Sequence, residues 1–234
     1  MMEHLHDSHF HLDLQQNRTA AIQHIEDNRI YTIAVTNLPD LYRRESGGVA
    51  SKYIRFALGF HPELVHQFKN QIPLMWTLLP NVRYIGEVGL DFVDTSFQNE
   101  QVAFFSELIE LCRNDHNKII TIHSRRAVKH VIRIIGKNFQ FKPILHWFTG
   151  NKEELLSAID AGFYISVNGM MMNSSRFLSI LPIIPANRIL VETDSPFTQY
   201  LINHASTLRS IVSSINKFRP DVDVFANFDN LITE

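Results

Sequence analysis

The sequence predicts a closed (β/α)8 barrel, a TIM barrel, on three observations. Eight short β-rich runs alternate with stretches of helical spacing. The 234-residue length suits one large α/β domain or two small ones, and no Pro/Gly/Ser-rich linker or solenoid-length repeat divides it. Strand then helix, repeated with right-handed crossovers, closes most economically as a barrel. A single barrel domain over residues 1–234 is therefore expected.

The runs are LHDSHFH at 5–11, IYTIAVT at 30–36, IRFALGF at 54–60, RYIGEVG at 83–89, KIITIH at 118–123, PILHW at 143–147, FYISV at 163–167 and RILVET at 188–193. Between them, Thr95 with Gln98 predicts a capping box ahead of FFSELIELC. Asn151 with Glu154 predicts another ahead of LLSAI, and Gly162 predicts that helix's end. Phe97, Phe104, Phe105, Leu108, Leu111 and Cys112 recur at helical spacing and are expected in the core, with Cys112 packing rather than reacting. In the second repeat, NLPDLYRRESGGVASK leaves little room for a full helix.

Composition narrows the function. Hydrophobic residues at 45% and charged residues at 20% give an ordinary globular core, which excludes disordered and collagen-like classes. With 22 Lys and Arg against 24 Asp and Glu, the net charge of -2 excludes a chain that holds nucleic acid by bulk electrostatics, so any polyanion contact must be local. The one cysteine can form neither an internal disulfide nor a thiolate metal site, which suits a reducing compartment. No apolar run reaches the roughly 18 to 20 residues that span a bilayer, so a cytoplasmic protein without membrane contact is expected. The 12 histidines stand out, because neutral imidazole is a common metal ligand and general base.

Barrel active sites lie at the C-terminal ends of the strands, and here those ends are unusually polar. In order they carry His9 with His11, Asn37, His61, Glu87, His123, His146, Asn168 and Asp194, so six of the eight end in His, Glu or Asp. His9 and His11, two apart on a strand, project from one face and can chelate one ion, with Asp7 two residues earlier placed to orient a ligand. Glu87 lies between two glycines that let backbones approach, and a carboxylate there can bridge two cations. His123 and His146 end apolar strands, where an unpaired imidazole is unfavourable. Asp194, ahead of Ser195-Pro196, can ligate a metal and take a proton from an attacking water. Taken singly, each has a plainer reading as a hydrogen-bonded core histidine, a backbone-bonded aspartate or a glutamate paired with arginine. The set together favours a metal centre.

The blocks DSHFHLD, GFHPE, IGEVGLD, ITIHSRRA, ILHWFTG and LVETDSPF, in this order from residue 7 to residue 197, resemble the TatD-type metal-dependent deoxyribonucleases. The resemblance implies a TIM barrel of the metallo-dependent hydrolase superfamily that cleaves DNA phosphodiesters with divalent metal ions. Carried over motif by motif, it gives one metal to His9, His11, Glu87 and Asp194 and a second to Glu87, His123 and His146. It sets His61 against the scissile phosphate or leaving group. Such hydrolysis needs a strong nucleophile at neutral pH and charge stabilisation on two oxygens, which two cations supply. Four imidazoles with two carboxylates match Zn²⁺ or Mn²⁺ better than oxygen-seeking Mg²⁺, which the resemblance nevertheless allows.

The sequence departs from that pattern in a brief Thr198–Thr207 segment without the family's Asn-x-Pro, so a shortened C-terminal segment and an altered substrate cleft are expected. In this it resembles, more loosely, the TatD-like component of the Qat anti-phage defence system, which implies defence-system proteins as partners. Two alternatives stand beside the deoxyribonuclease. One is a metallo-hydrolase of a C–N, ester or lactone bond, and the other is a defence-complex subunit active only with its partners. Glu87 at a bridging position, with no lysine ending any strand, favours the phosphodiesterase. Arg125, Lys129, Arg133 and Lys137 recur every fourth residue after His123. Of these, Arg125, with Arg126, is expected to begin a helix at the active face and meet a phosphate, the others forming a solvated face. Trp147 and Phe148 can stack on a base, or pack under their loop.

Overall fold

All eight β-rich runs form strands in the computed structural model, which describes residues 4–198 and 203–233. The first half of the chain runs β1 (His6–Phe10), α1 (Arg18–Asn28), β2 (Tyr31–Val35), α2 (Pro39–Ser46), β3 (Ile54–Ala57), α3 (Pro62–Val65), α4 (Ile72–Leu78), β4 (Tyr84–Gly89) and α5 (Gln98–Cys112). The second runs β5 (Ile119–His123), α6 (Val128–Ile135), β6 (Lys142–Leu145), α7 (Lys152–Asp160), β7 (Tyr164–Val167), α8 (Gly169–Met172), α9 (Ser175–Ile180), β8 (Ile189–Val191), α10 (His204–Phe218) and α11 (Val224–Thr233). No helix among the described residues is long and apolar enough to cross a membrane.

Strands β1 to β3 and β4 to β8 pair in parallel in sequence order. A bridge between Leu58 and Ile85, with Thr36 bonded to Gly86 O and Glu87 N, joins the two groups. At the other junction Ser8 Oγ donates to Val191 O at 2.9 Å and Asp194 N to His9 O at 2.9 Å, which closes the TIM barrel. Inside, Ile33, Tyr84, Ile119, Ile144, Tyr164 and Leu190 pack with Phe228 and Leu231 of α11, so that helix plugs the end opposite the strand C-termini. Arg83 and Lys142 hold its last carbonyls, Ile232 O and Leu231 O.

Two ladder irregularities decide where side chains point. The β1–β2 register shifts between Asp7 and Phe10, and the β4–β5 register shifts between Ile85 and Val88. Each breaks the two-residue alternation of a strand. Asp7 therefore does not share the face of His9 and His11 as the spacing predicts. On β4 the glycines do what the sequence suggests: a Cβ on Gly86 would lie 2.1 Å from Thr121 Cγ2, and one on Gly89 2.1 Å from His123 O.

The helices agree in part. Asn151 and Glu154 form the expected capping box, and Gly162 follows α7 at φ +90°. Thr95 forms none: α5 starts at Gln98 behind an uncapped Phe97, because Thr95 O accepts Gln98 N in a preceding turn in which Asp94 holds Ser96 N. Cys112 is buried, and burial pushes its thiol up to about 12, but Phe97 and Leu111 point to solvent rather than the core. The abbreviated second repeat still fits the eight residues of α2. Arg125 and Arg126 do not begin a helix, since α6 starts at Val128 and both lie in the turn before it, Arg126 at φ +56°. Lys137 lies beyond α6 and pairs with Asp160. Of the Thr198–Thr207 segment, residues 199–202 lie outside the described residues.

Close approach at the junction of the two strand groups predicts an asymmetry between glycines. A Cβ on Gly59 would meet Thr36 O at 1.5 Å, whereas one on Gly136, at φ +67°, meets nothing within 4 Å. Gly59→Ala should lose about 3 kcal/mol or more in urea unfolding, as overpacked backbone must move. Gly136→Ala, with ψ of −150° in a region that side chains avoid but with free space around it, should lose only about 1–3 kcal/mol of backbone strain.

Candidate metal centre

The strand C-termini open into a cavity of about 610 Å³ whose walls include His11, His61, Glu87, His123, His146 and Asp194. His9 is fully buried behind them. Glu87 organises the cluster by dividing its two oxygens. Oε2 lies 3.6 Å from His9 Nε2 and 3.5 Å from His11 Nε2. Asp194 Oδ1 lies 3.5 and 3.4 Å from the same two nitrogens, which are 3.3 Å apart. His9 Nε2, His11 Nε2 and Asp194 Oδ1 thus form a triangle with edges of 3.3–3.5 Å, the spacing of donors that can share one ion at about 2.1 Å each. Asp194 Oδ1 is buried without a hydrogen-bond donor, as an oxygen reserved for a cation would be.

Glu87 Oε1 faces a second group. It lies 2.6 Å from His123 Nδ1, 2.8 Å from His146 Nε2 and 3.6 Å from His61 Nε2, with His123 and His146 3.4 Å apart through the same atoms. Neutral nitrogen with anionic oxygen suits a divalent transition metal. The ligand atoms of His9, His11 and Asp194, and separately those of His61, Glu87 and His123, lie within 4.8 Å of one another. These residues fit a metal ion, and every strand-end His, Glu or Asp of the sequence is in the cluster.

Neighbours fix the ring orientations. Thr121 Oγ1 is hydrogen-bonded to His9 Nδ1 at 2.8 Å and so holds the ring with Nε2 facing the centre. Asp91 Oδ2, 2.8 Å from His123 Nε2, holds that ring with Nδ1 facing Glu87 Oε1. His61 is arranged oppositely: its Nδ1 accepts Glu63 N at 3.3 Å, so in the neutral ring Nε2 carries the proton toward Glu87 and the cavity. Burial, against the pull of Glu87, lowers the His61 pKa to about 4 and keeps that ring neutral.

The carboxylates dominate elsewhere. Burial would raise Glu87, but His61, His146 and His123 hold it well below the usual carboxylate range. Burial likewise opposes protonation of His11, His123 and His146, yet the facing carboxylates carry all three above the ordinary histidine value, His146 furthest. His9 goes the other way, lowered by burial and by His146, on which it stacks at 3.8 Å.

A match to the protein family described as TatD related DNase spans residues 6–226. The chain belongs to that family. An uncharacterized metal-dependent hydrolase of Buchnera aphidicola is 30% identical over 82% of this chain and 80% of its own length. A 3'-5' ssDNA/RNA exonuclease TatD of Erwinia billingiae is 27% identical over 78% and 74%. Among solved structures, the TatD homologue YJJV of Escherichia coli superposes with TM-score 0.81 at 18% identity, covering 99% of this chain and 97% of that one. A TatD-family hydrolase of Entamoeba histolytica gives 0.76 at 16%, covering 100% and 97%. This TatD-family chain is thus an enzyme, a metal-dependent hydrolase with a TIM barrel.

Around the TatD-family cluster lie residues the sequence reading did not single out. Glu192, fully buried, accepts Trp147 N at 2.9 Å and Asn168 Nδ2 at 3.1 Å and faces His146 Nδ1 at 3.8 Å. Strand periodicity could have found it, two residues before Asp194, as it could have found Thr121 two before His123. His204 carries no such signal. Its Nε2 lies 2.7 Å from Asp7 Oδ2, across most of the chain. Arg125 reaches the cavity wall and Arg126 does not, while Phe148 is buried under its loop and Trp147, at φ +38°, lines the cavity.

Asp7 orients no ring of the cluster. It accepts Thr193 N at 3.0 Å, Thr193 Oγ1 at 2.5 Å and His9 N at 3.1 Å besides facing His204. It thereby fixes the backbone of His9 and of Thr193, the residue before Asp194. Each buried donor left without an acceptor costs about 1–3 kcal/mol, so Asp7→Ala should lose at least ~3 kcal/mol in urea unfolding, with Asp7→Asn recovering part.

Proposed function

We propose that the chain hydrolyses phosphodiester bonds of DNA, at single strands or strand ends, with two divalent cations. The observation that carries this is the division of Glu87 between two nitrogen-rich groups, Oε2 toward His9 and His11, Oε1 toward His123 and His146. In this reading His9, His11, Glu87 and Asp194 hold one ion, and Glu87, His123 and His146 the other. The mixed donor set favours Zn²⁺ or Mn²⁺ over Mg²⁺. Bound there, such ions lower the pKa of water and neutralise charge on the attacking and leaving oxygens.

The chain's own groups do the rest. Asp194 takes the proton of the attacking water on its carboxylate. His61 donates its Nε2 proton in a hydrogen bond to a phosphate or leaving oxygen, for which a neutral ring anchored at Nδ1 by Glu63 N is suited. Arg125 on the cavity wall, with Arg126 just outside it, meets the phosphates of the strand. The exonuclease name borne by the Erwinia relative agrees with such a substrate. Labelled single- and double-stranded DNA and RNA, each incubated with Mg²⁺, Mn²⁺, Zn²⁺ or EDTA, test the reading directly. Hydrolysis that EDTA leaves untouched overturns it.

Two variants probe the roles. Glu87→Ala or Asp194→Ala should abolish turnover, by at least about 10³-fold, and lower bound metal by elemental analysis while the circular dichroism spectrum stays folded. His61→Ala should slow turnover by about 10²- to 10³-fold with metal content unchanged. One ion fewer in that variant would make His61 a ligand instead.

A further inference from the structure

Phe197 is the most exposed large apolar side chain among the described residues, at 60%, and it does not sit on an idle surface. Its backbone N donates to Asp194 O at 2.9 Å, and its ring meets His11 edge-on at 5.0 Å between centroids and 80° between planes. It lines the same cavity as Arg125 and Trp147. The next residue, Thr198, is tied back through its hydroxyl to Thr193 O at 2.6 Å, so the turn that carries the ring is fixed from both sides. Packing does not account for the ring's position: it is mostly exposed while it lines the cavity, and exposed apolar surface gains nothing from water.

We infer that Phe197 is a specificity-determining residue on which the unpaired base next to the scissile phosphodiester stacks. The inference rests on the phosphodiesterase reading and adds a base-binding group to it. A flat aromatic face one side chain away from a metal-binding cluster is placed for a group covalently joined to the reacting phosphate. A nucleobase is such a group, and Arg125 supplies the cation for its backbone. In a duplex both faces of an internal base are already covered by its neighbours. A protein ring can take that place only at a strand end or on a single strand, without regard to which base is present.

The test uses Phe197→Ala, Phe197→Leu and Phe197→Trp on two oligonucleotides that differ only in whether the nucleotide at the cleavage point carries its base. Turnover is measured with metal, and Kd by fluorescence anisotropy on EDTA-treated protein. Phe197→Ala should raise KM and Kd for the base-bearing strand about 5- to 150-fold, the range for one lost base–aromatic stack. Wild type should lose a similar factor on the abasic strand, while Phe197→Ala should no longer distinguish the two. Phe197→Trp should restore discrimination and Phe197→Leu should not. Equal losses on both strands, or leucine matching tryptophan, would overturn the inference. If wild type cleaves neither oligonucleotide with any metal, the phosphodiesterase reading itself fails, which is a separate result.

Discussion

Closure between the first and last strands is the constraint on which the site depends, because His9 and His11 follow from one edge of the ring and Asp194 from the other. The closing contacts are polar and fully buried. Ser8 Oγ bonds Val191 O and meets Ser166 Oγ at 2.5 Å, Asp194 N bonds His9 O, and Asp7 gathers donors from both strands. A buried carboxylate is costly unless its lone pairs are filled, and those of Asp7 are filled by the groups that must stay in register. Asp194 needs such holding. Its φ of +49° is a left-handed conformation that costs a non-glycine residue about 1–2 kcal/mol. Arg126 and Trp147, also left-handed, follow strands at the same face. Strain is thus stored where the ends of the barrel turn toward the cavity and is held by the barrel below.

The electrostatics follow from that geometry. Two carboxylates and five imidazoles face one another at hydrogen-bond or near-contact distances, and the carboxylates raise the proton affinity of His11, His123 and His146 against the effect of burial. The same oxygens that attract those protons attract a cation. Metal and acid therefore compete for one set of nitrogens, and binding a metal must expel protons. His61 stands apart from this competition, since its Nδ1 is committed to Glu63 N and burial keeps it neutral. That difference separates His61 from the histidines whose second nitrogen is held by Thr121 or Asp91.

Much of this was legible in the sequence because strand ends are local. Short β-rich runs ending in polar residues located all eight strands, and the residues at those ends are the ones gathered around the cavity. The flanking glycines of Glu87 also read correctly, since the close approach they permit is a property of the residue type. What escaped depends on register or on contacts between distant segments. Asp7 was assigned to the face of His9, and a shift in the β1 ladder turns it toward Thr193 and His204 instead. Thr95 with Gln98 has the spacing of a capping box, but a turn led by Asp94 uses Thr95 first. Leu111 and Phe97 follow helical spacing without following the buried face: α5 is buried along Gln101, Phe104, Phe105, Leu108, Ile109 and Cys112, and Phe97 stands before its first turn. Glu192 obeys strand periodicity, two residues before Asp194, but its role rests on contacts with Trp147, Asn168 and His146 from other strands' ends.

The segment after the last strand is tied at its two described ends to groups on β1 and beyond β8. Thr198 is tied to Thr193 O, and Asn203 caps α10 by accepting Ser206 N at 3.0 Å. His204, first in that helix, stacks on Phe10 at 4.7 Å and reaches Asp7. The helix start is therefore attached to the same carboxylate that holds Thr193, so both sides of the segment are anchored to β1 and β8 rather than to each other. Phe197, on the loop beyond β8, lines the cavity, and loop variation on a rigid scaffold acts at such positions. The metal-binding geometry and the cleft are in this way carried by different parts of the chain, strands for the first and the loops beyond them for the second.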